Sequence, residues 1–211
     1  YGPFTIATVR PETKFRDTAV AVNPKDKKYK EWIGRTIEVQ GLLGLVKMTV
    51  IPDPEVDPKF GTGALGVTPA HSKVDAKIAI RHNLPSIQVI NEYVQMAKEA
   101  GPFLVGKKTT EAREIVVDYL KENDLLEGEE IIDQNIPKAQ RSGGTIEPLP
   151  KRHQFFVNVN KPISERSNKT LKELMREVVK TGKIKILPKR FEKIYLDWVD
   201  NLQDWSISRQ I

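Results

Sequence analysis

The chain has 211 residues, of which 39% are hydrophobic and 29% charged, and its formal net charge is +6. This length is enough to bury the core of one large domain or two small ones. The absence of cysteine excludes disulfides, cysteine-ligated zinc, iron–sulfur clusters and a thiol nucleophile. No apolar run approaches the roughly 20 residues of a membrane-spanning helix. Because the chain begins at Tyr1 rather than at methionine, we expect it to be part of a larger protein.

The positive charge is concentrated in the last third of the chain. Residues 1–143 hold 20 Lys and Arg against 20 Asp and Glu, whereas residues 144–211 hold 14 against 8. A basic segment favours a polyanionic partner, because neutralising phosphates releases bound counterions. The two signs are interspersed rather than blocked, so from charge alone an ordinary solvated, lysine-rich surface is the simpler explanation.

The first half of the chain reads mainly as strands. Short β-branched runs predict strands at residues 4–9, 18–22, 36–40, 45–51 and 87–90. The third and fourth of these flank a turn containing Gly41 and Gly44, which predicts a hairpin. Three prolines between residues 52 and 58 predict an irregular loop after it.

Helices are predicted in both halves. Residues 72–82 form the first, with Ser72 as its N-cap, and residues 109–124 form the second. Apolar stripes at residues 171–179 and 191–202 predict two more, separated by a strand at residues 184–187. Because strands and helices mix without regular alternation in the first 143 residues, the predicted class is α+β.

Several enzyme classes lack their motifs here. The chain has no GxSxG elbow, no GxxxxGK[ST] loop and no HExxH pair. Its three histidines, His71, His82 and His153, are scattered without cysteine partners, and we expect no metal site. Gly61 and Gly63 lack the third glycine of a dinucleotide fingerprint. A conventional covalent hydrolase or dehydrogenase therefore has little support.

Two polar clusters follow predicted strands, where sites are often built. One covers residues 8–13, and the other covers residues 68–72 together with Asp75. Structural explanations compete for each member: a helix-capping box for Ser72 with Asp75, a surface ion pair for Arg10, and strand or turn roles for Thr8 and Thr13. The residues alone leave both explanations open.

The same residues carry a family resemblance. Thr8-Val9-Arg10-Pro11-Glu12-Thr13 followed by residues 17–22 resembles the TTRPET…DTAVAV signature of the editing (CP1) domains of class I aminoacyl-tRNA synthetases. Residues 60–71 are similar to the FGTGALKVTPAH block of the valyl-tRNA synthetases. Further likeness extends in order through Arg81-His82, Arg141-Ser142-Gly143, Ile146-Glu147-Pro148-Leu149, Gln154-Phe155-Phe156-Val157, Trp198 and residues 204–210. Glu12 and the 147–149 block favour the valyl form over the isoleucyl and leucyl forms.

The resemblance implies a fold and a domain organisation. Residues 1–143 would be an editing domain with a barrel-like β core and peripheral helices. Residues 144–211 would be an α/β return segment leading to a catalytic Rossmann domain outside this chain. Because HIGH-like and KMSKS-like signatures are absent, the chain alone would not aminoacylate tRNA.

The resemblance also implies an activity, which is post-transfer editing. The chain would hydrolyse the aminoacyl ester of mischarged threonyl-tRNA(Val), without a metal or cofactor, while the full-length enzyme would use ATP. Its partners would be the threonine-carrying 3′ acceptor end of tRNA(Val) and the catalytic domain of the same polypeptide. The resemblance further implies a cytoplasmic monomer that does not engage a membrane. Two alternatives remain: an acceptor-end binding module with weakened hydrolysis, and an editing domain of an isoleucyl- or leucyl-type synthetase.

Roles for individual residues follow from the resemblance alone. Asp75 would hold the α-ammonium group of the threonyl moiety, and Thr8, Thr13 and Thr68 would line the amino-acid pocket or orient water. The tRNA end would be contacted by Arg10 at the terminal adenosine or its phosphate, by Phe60 at adenine or ribose, and by His71 and Ser72.

Three positions depart from the family pattern. Val9 replaces a threonine, Gly66 replaces a lysine, and Ser72 replaces an acidic residue. The last two departures together remove one positive and one negative side chain from the predicted site. Editing here would be slower, or would use a different set of polar groups.

Overall fold

Residues Ala19–Val22 are all buried and form the central strand, β1, of a mixed sheet. The computed structural model describes residues 4–150 and 153–208. The chain divides into two compact units, Tyr1–Pro150 and Lys151–Ile211, and β1 belongs to the first. A strand buried on both faces must lie between two packed layers, which explains its wholly apolar sequence.

The sheet of the first unit has four strands in the order β2-β3-β1-β4. Strand β2 is Thr36–Gly41, β3 is Gly44–Pro52 and β4 is Ala64–Val67. β2 and β3 form the predicted antiparallel hairpin. β1 runs parallel to β3 and antiparallel to β4, with Ala19 opposite both Thr49 and Val67. The second polar cluster begins at Thr68, directly after the last residue of β4.

Each face of the sheet has its own apolar core. Val20, Val22 and the inward residues of the hairpin pack around Phe4 and Tyr29 on one face. On the other face, Ala19, Ala21, Ile51 and Val67 pack against Ile78, which lies on helix α1, Lys73–His82. Helix α2, Thr109–Glu122, buries Ala112 and Val116 in a third cluster with Val89, Ile90, Met96 and Leu104.

The barrel-like core expected from the resemblance is not found in the described residues, where the sheet is open with β2 and β4 at its edges. The strand predicted at residues 4–9 is also wrong. The Phe4 ring stacks 5.1 Å from that of Tyr29, and the Thr5 carbonyl accepts a hydrogen bond from the Thr62 hydroxyl. The segment thus contributes a side chain to the core instead of a row of backbone pairs. Residues 87–90 likewise provide only an isolated bridge from Ile90 to Met96.

The second unit contains both helices predicted for it. Helix α3, Leu171–Lys180, begins with a capping box formed by Thr170 and Glu173, and α4 is Arg190–Asp200. Two short strands, β5 (Phe156–Val157) and β6 (Trp205–Ser206), pair antiparallel. The strand predicted at residues 184–187 does not form. Arg209 and Gln210, which end the last resembling motif, lie outside the described residues.

Ile78 provides a test of the packing between α1 and the sheet. It is fully buried, whereas Ile80 on the same helix is 82% exposed. Ile78→Ala should lower the free energy of unfolding of the first unit by about 2–5 kcal/mol, because it removes a buried side chain and leaves a cavity. Hydrogen–deuterium exchange of peptides from β1 and β3 during urea titration would measure this loss.

The matched control is Ile80→Ala, which should change the same free energy by less than about 0.5 kcal/mol. Equal effects of the two substitutions would contradict the packing described here.

Candidate functional site

The two polar clusters of the sequence meet in the first unit. The first continues into a 3₁₀ helix, Pro11–Arg16, whose leading proline has a preset φ and no N–H to satisfy. The second links the end of β4 to the start of α1. Lys14 Nζ donates to Thr68 Oγ1 at 2.7 Å, and Arg10 Nη1 donates to the His71 carbonyl at 3.4 Å. The fold therefore joins segments more than 50 positions apart into one polar site.

Ser72 and Asp75 form the N-terminal turn of α1. The Ser72 hydroxyl accepts the Asp75 backbone N–H at 3.2 Å, which confirms Ser72 as the N-cap. The Asp75 carboxylate, in a residue only 4% exposed, accepts from the Ser72 hydroxyl at 2.7 Å and from the Thr68 N–H at 2.7 Å. Its bond to Thr68 differs from the predicted reciprocal capping box. The carboxylate therefore anchors the end of β4 to the helix.

A second buried carboxylate lies beside Thr68. The Thr68 hydroxyl donates to Asp17 Oδ1 at 2.6 Å. Lys14 Nζ lies 2.7 Å from the Gly66 carbonyl oxygen and 3.3 Å from Asp17 Oδ1. Asp17 and Thr68 are 4% and 2% exposed. Lys14 neutralises a buried charge that would otherwise be costly to hold.

Glu147 connects Arg10 with His71. Its carboxylate lies 2.8 Å from Arg10 Nη2 and 2.8 Å from His71 Nδ1, and its side chain is only 6% exposed. Burial acts to raise the pKa of Glu147, but the hydrogen bonds from His71 and Arg10 and the Arg10 charge outweigh it, so the pKa falls below its usual value. The same pairing raises the pKa of Arg10 against the opposing effect of burial. The predicted ion pair of Arg10 exists, but its partner carboxylates are buried rather than at the surface.

The hydrogen bonds of His71 define its tautomer. The Val89 backbone N–H donates to Nε2 at 2.9 Å, so Nε2 carries no proton. Nδ1 is then the protonated nitrogen and donates to Glu147. The imidazole is a neutral bridge between Glu147 and the segment at Val89, and both ring nitrogens are occupied by protein partners.

Glu12 fixes Arg10 from the other side. This carboxylate is 1% exposed and accepts two bonds from Arg113 on α2, at 3.1 and 3.2 Å. Arg10 Nε lies 3.4 Å from the same carboxylate. Such a forked arginine–carboxylate pair is strongly directional. Arg10 is consequently held between two carboxylates while 29% of its side chain stays exposed.

The other predicted site residues occupy different environments. Thr13 is buried and donates its hydroxyl to the Arg10 carbonyl at 3.0 Å, whereas Thr8 is exposed and accepts the Arg10 N–H at 3.1 Å. Both bonds are local turn contacts of the kind these residue types favour. Phe60 lies in the loop before β4 with 74% of its surface exposed. Thr8 and Phe60 thus stand outside the buried part of the network.

Five members of the network received no role from the sequence: Glu12, Lys14, Asp17, Arg113 and Glu147. Asp17 and Glu147 stand within resembling motifs, and Lys14 directly follows one. Their place in the sequence could therefore have indicated that they belong to the site. Nothing in the sequence pointed to Arg113, because it lies on a surface helix about 100 positions from its partner Glu12.

Within residues 4–150 and 153–208, no group of three or more His, Cys, Asp or Glu side chains is arranged to hold a metal ion. Over the same residues, no helix is both long and apolar enough to cross a membrane. The candidate site therefore consists of hydrogen-bond donors, acceptors and paired charges.

The lowered pKa of Glu147 predicts a pH-dependent contribution to stability. A carboxylate with a depressed folded-state pKa stabilises the fold above its unfolded value, about 4.3, and loses that effect as the pH falls through the folded value. Glu147→Gln should cost about 1–3 kcal/mol at pH 7. The deficit should shrink progressively below about pH 4.

Hydrogen–deuterium exchange of α1 peptides at a series of pH values would measure this deficit. Glu38→Gln is the control, because Glu38 pairs with Lys47 on the surface with 56% of its side chain exposed, and it should show little loss at any pH. A Glu147→Gln deficit that is constant from pH 7 to pH 3 would contradict the ionic role.

The chain is similar to known proteins over nearly its whole length. The family model of tRNA synthetases class I (I, L, M and V) matches residues 12–211. The chain is 42% identical over 212 residues to the valine–tRNA ligase of Carboxydothermus hydrogenoformans, covering 100% of this chain and 22% of that protein. It is 43% identical over 207 residues to the mitochondrial valine–tRNA ligase of Saccharomyces cerevisiae, covering 98% and 18%. It is 40% identical over 206 residues to the enzyme of Thermotoga maritima, covering 98% and 22%.

The chain spans about a fifth of the length of these relatives. A match to the family model over nearly all of its residues, with valine–tRNA ligases similar to it from end to end, leads to one conclusion. The chain belongs to the class I tRNA synthetases, the family of the isoleucine, leucine, methionine and valine enzymes.

Proposed function

We propose that this chain is the editing module of a valine–tRNA ligase and hydrolyses the aminoacyl ester of threonyl-tRNA(Val). The observation that carries the proposal is the meeting of the two motifs, through Lys14 and Thr68 at 2.7 Å and through Arg10 and His71 at 3.4 Å. This arrangement concentrates polar groups around one edge of the sheet. It supports a binding site for a small polar group attached to a nucleic acid.

The choice of threonine rests on a physical limit. A hydrophobic synthetic pocket cannot strongly reject threonine, because threonine has the shape of valine with a hydroxyl in place of a methyl group. A second, polar site can select threonine by hydrogen-bonding this hydroxyl. Valine would leave the polar partner unpaired there, at a cost of about 1–3 kcal/mol.

The reaction requires little catalytic apparatus. An aminoacyl ester is already activated, so a positioned water and fixed polar groups suffice. Each Asp75 carboxylate oxygen accepts one protein donor and has capacity for another. The proposal assigns Asp75 to the α-ammonium group, which a carboxylate binds by a charge-assisted hydrogen bond.

The tRNA end would be held by exposed groups around this network. The partly exposed guanidinium of Arg10 suits the terminal adenosine or its phosphate. The ring of Phe60, 74% exposed, offers a surface on which a base can stack. The second unit is basic in composition, with 14 Lys and Arg against 7 Asp and Glu in residues 151–211, and by itself it would favour contact with an RNA backbone.

The proposal extends to the whole protein. Because the similar enzymes are valine–tRNA ligases several times longer than this chain, we propose that a catalytic domain of the same polypeptide supplies ATP-dependent aminoacylation. The editing reaction itself would then proceed without a cofactor.

A second candidate function has its own support. Val9, Gly66 and Ser72 depart from the resembling motifs, and a site that has lost polar groups would bind the acceptor end without hydrolysing it efficiently. This alternative predicts binding of tRNA(Val) with no measurable turnover.

Deacylation assays with the 211-residue chain distinguish these functions. Threonyl-tRNA(Val) should be hydrolysed roughly 10- to 100-fold faster than valyl-tRNA(Val), the ratio expected from one unpaired buried polar group. Release of the labelled amino acid at neutral pH gives the rates, with uncatalysed ester loss as the baseline.

The other outcomes have distinct meanings. Tight binding of tRNA(Val) without release would favour the binding module, and preferential release of an amino acid from isoleucine- or leucine-specific tRNA would favour an editor of that type. Absence of both binding and release would refute all three functions.

Asp75→Asn tests the assigned role directly. The substitution removes the negative charge that would hold the α-ammonium group, so hydrolysis of threonyl-tRNA(Val) should fall at least about 100-fold. The control Asp118→Asn removes a carboxylate from the exposed face of α2 and should leave the rate unchanged. If folded Asp75→Asn hydrolyses the ester at an undiminished rate, Asp75 has only a structural role, through its contacts with Ser72 and Thr68.

A further inference from the structure

Lys14 occupies an unusual position for a lysine. Its ammonium group lies 2.7 Å from both the Gly66 carbonyl oxygen and Thr68 Oγ1 and 3.3 Å from Asp17 Oδ1, and its side chain is only 16% exposed. Lysine is rarely so buried unless it is paired. Lys14, Asp17 and Thr68 form a cluster in which only Lys14 is appreciably exposed. The Asp17 side chain is 0% exposed, and Thr68 is 2% exposed.

The cluster occupies the space that a side chain at position 66 would need. A Cβ at position 66 would overlap Asp17 Oδ2 and would lie 3.6 Å from Lys14 Cδ. Any side chain at this position would therefore force Asp17 to move. The space beside β4 at Gly66, where the resembling motif has a lysine, is filled here by Asp17 and by Lys14 from the 3₁₀ helix.

The cluster also sets the direction of the Thr68 hydroxyl. An ammonium group only donates and an ionised carboxylate only accepts. Thr68 Oγ1 therefore accepts from Lys14 and gives its proton to Asp17 at 2.6 Å. One lone pair remains on Oγ1, so toward a ligand this oxygen is an acceptor. A threonine hydroxyl or an ammonium group can donate to it, whereas a valine methyl group cannot.

We infer that Lys14 is the positioning residue that makes this site selective for a hydroxyl-bearing aminoacyl group, and that it replaces from the 3₁₀ helix the cation missing at Gly66. The inference rests on the proposed function, because selectivity is defined by the ester that is hydrolysed. Lys14 acts through Thr68, whose hydroxyl it orients, and through Asp17, whose charge it neutralises.

The test compares Lys14→Met with the unchanged chain in deacylation of threonyl- and valyl-tRNA(Val). Lys14→Met should lower kcat/KM for the threonyl ester about tenfold, with little change for the valyl ester. Lys47→Met is the control, since Lys47 is 70% exposed on β3, and it should behave as the unchanged chain.

Each outcome decides a different claim. If the unchanged chain hydrolyses no threonyl-tRNA(Val), the proposed function and the inference fall together. If the chain is active but Lys14→Met retains both its rate and its preference for threonine, the inference alone is wrong. An equal loss on both esters would show that Lys14 serves only the fold.

Two further variants cover the case in which Lys14→Met does not fold. Lys14→Arg keeps the charge and should retain the preference for threonine within about threefold. Gly66→Ala would place a methyl group against Asp17 Oδ2 and displace that carboxylate, so it should lose the preference for threonine. An unaltered preference in a folded Gly66→Ala protein would overturn the inference.

Discussion

The first unit depends on one constraint, which is that a carboxylate removed from water must be given donors by the protein. Among the described residues of this unit, five carboxyl groups are buried and each has at least two donors: Glu12, Asp17, Asp53, Asp75 and Glu147. Each has at least one partner from another segment, so meeting the constraint also determines how the segments pack. Asp53 at the end of β3, for example, holds Arg81 and His82 at the end of α1.

Pairing of this kind keeps the site charged and ordered. At Asp53, as at Glu147, burial alone would raise the pKa, but the hydrogen bonds and charges of the partners lower it. Asp53 and Glu147 accordingly remain ionised at neutral pH and act only as hydrogen-bond acceptors. The proposed discrimination between a hydroxyl and a methyl group would benefit from fixed acceptors, because such selectivity depends on which groups donate and which accept.

Local sequence patterns predicted the elements that depend on local interactions. The hairpin of β2 and β3 followed from its turn, α1 from its Ser72 cap, and α2 to α4 from their apolar periodicity. Three short β-branched runs failed as strands, at residues 4–9, 87–90 and 184–187. A strand is stable only when a neighbouring strand accepts its backbone bonds, and sequence composition does not show whether such a neighbour exists. For the same reason, sequence composition does not show whether the edge strands β2 and β4 find further partners that would close the sheet into a barrel.

The sequence by itself determined the chemical character of the site, since the residues of both motifs, the cap at Ser72 and the three departures at Val9, Gly66 and Ser72 are all visible in it. Only the tertiary structure decided which of these groups meet. Lys14 reaches Gly66 across 52 positions, and Arg10 reaches Glu147 across 137. Contacts at such separations depend on the packing of whole elements and not on local backbone preference. For this reason the contact of Lys14 with Gly66, and the bridge that Glu147 makes between Arg10 and His71, were visible only in the tertiary structure.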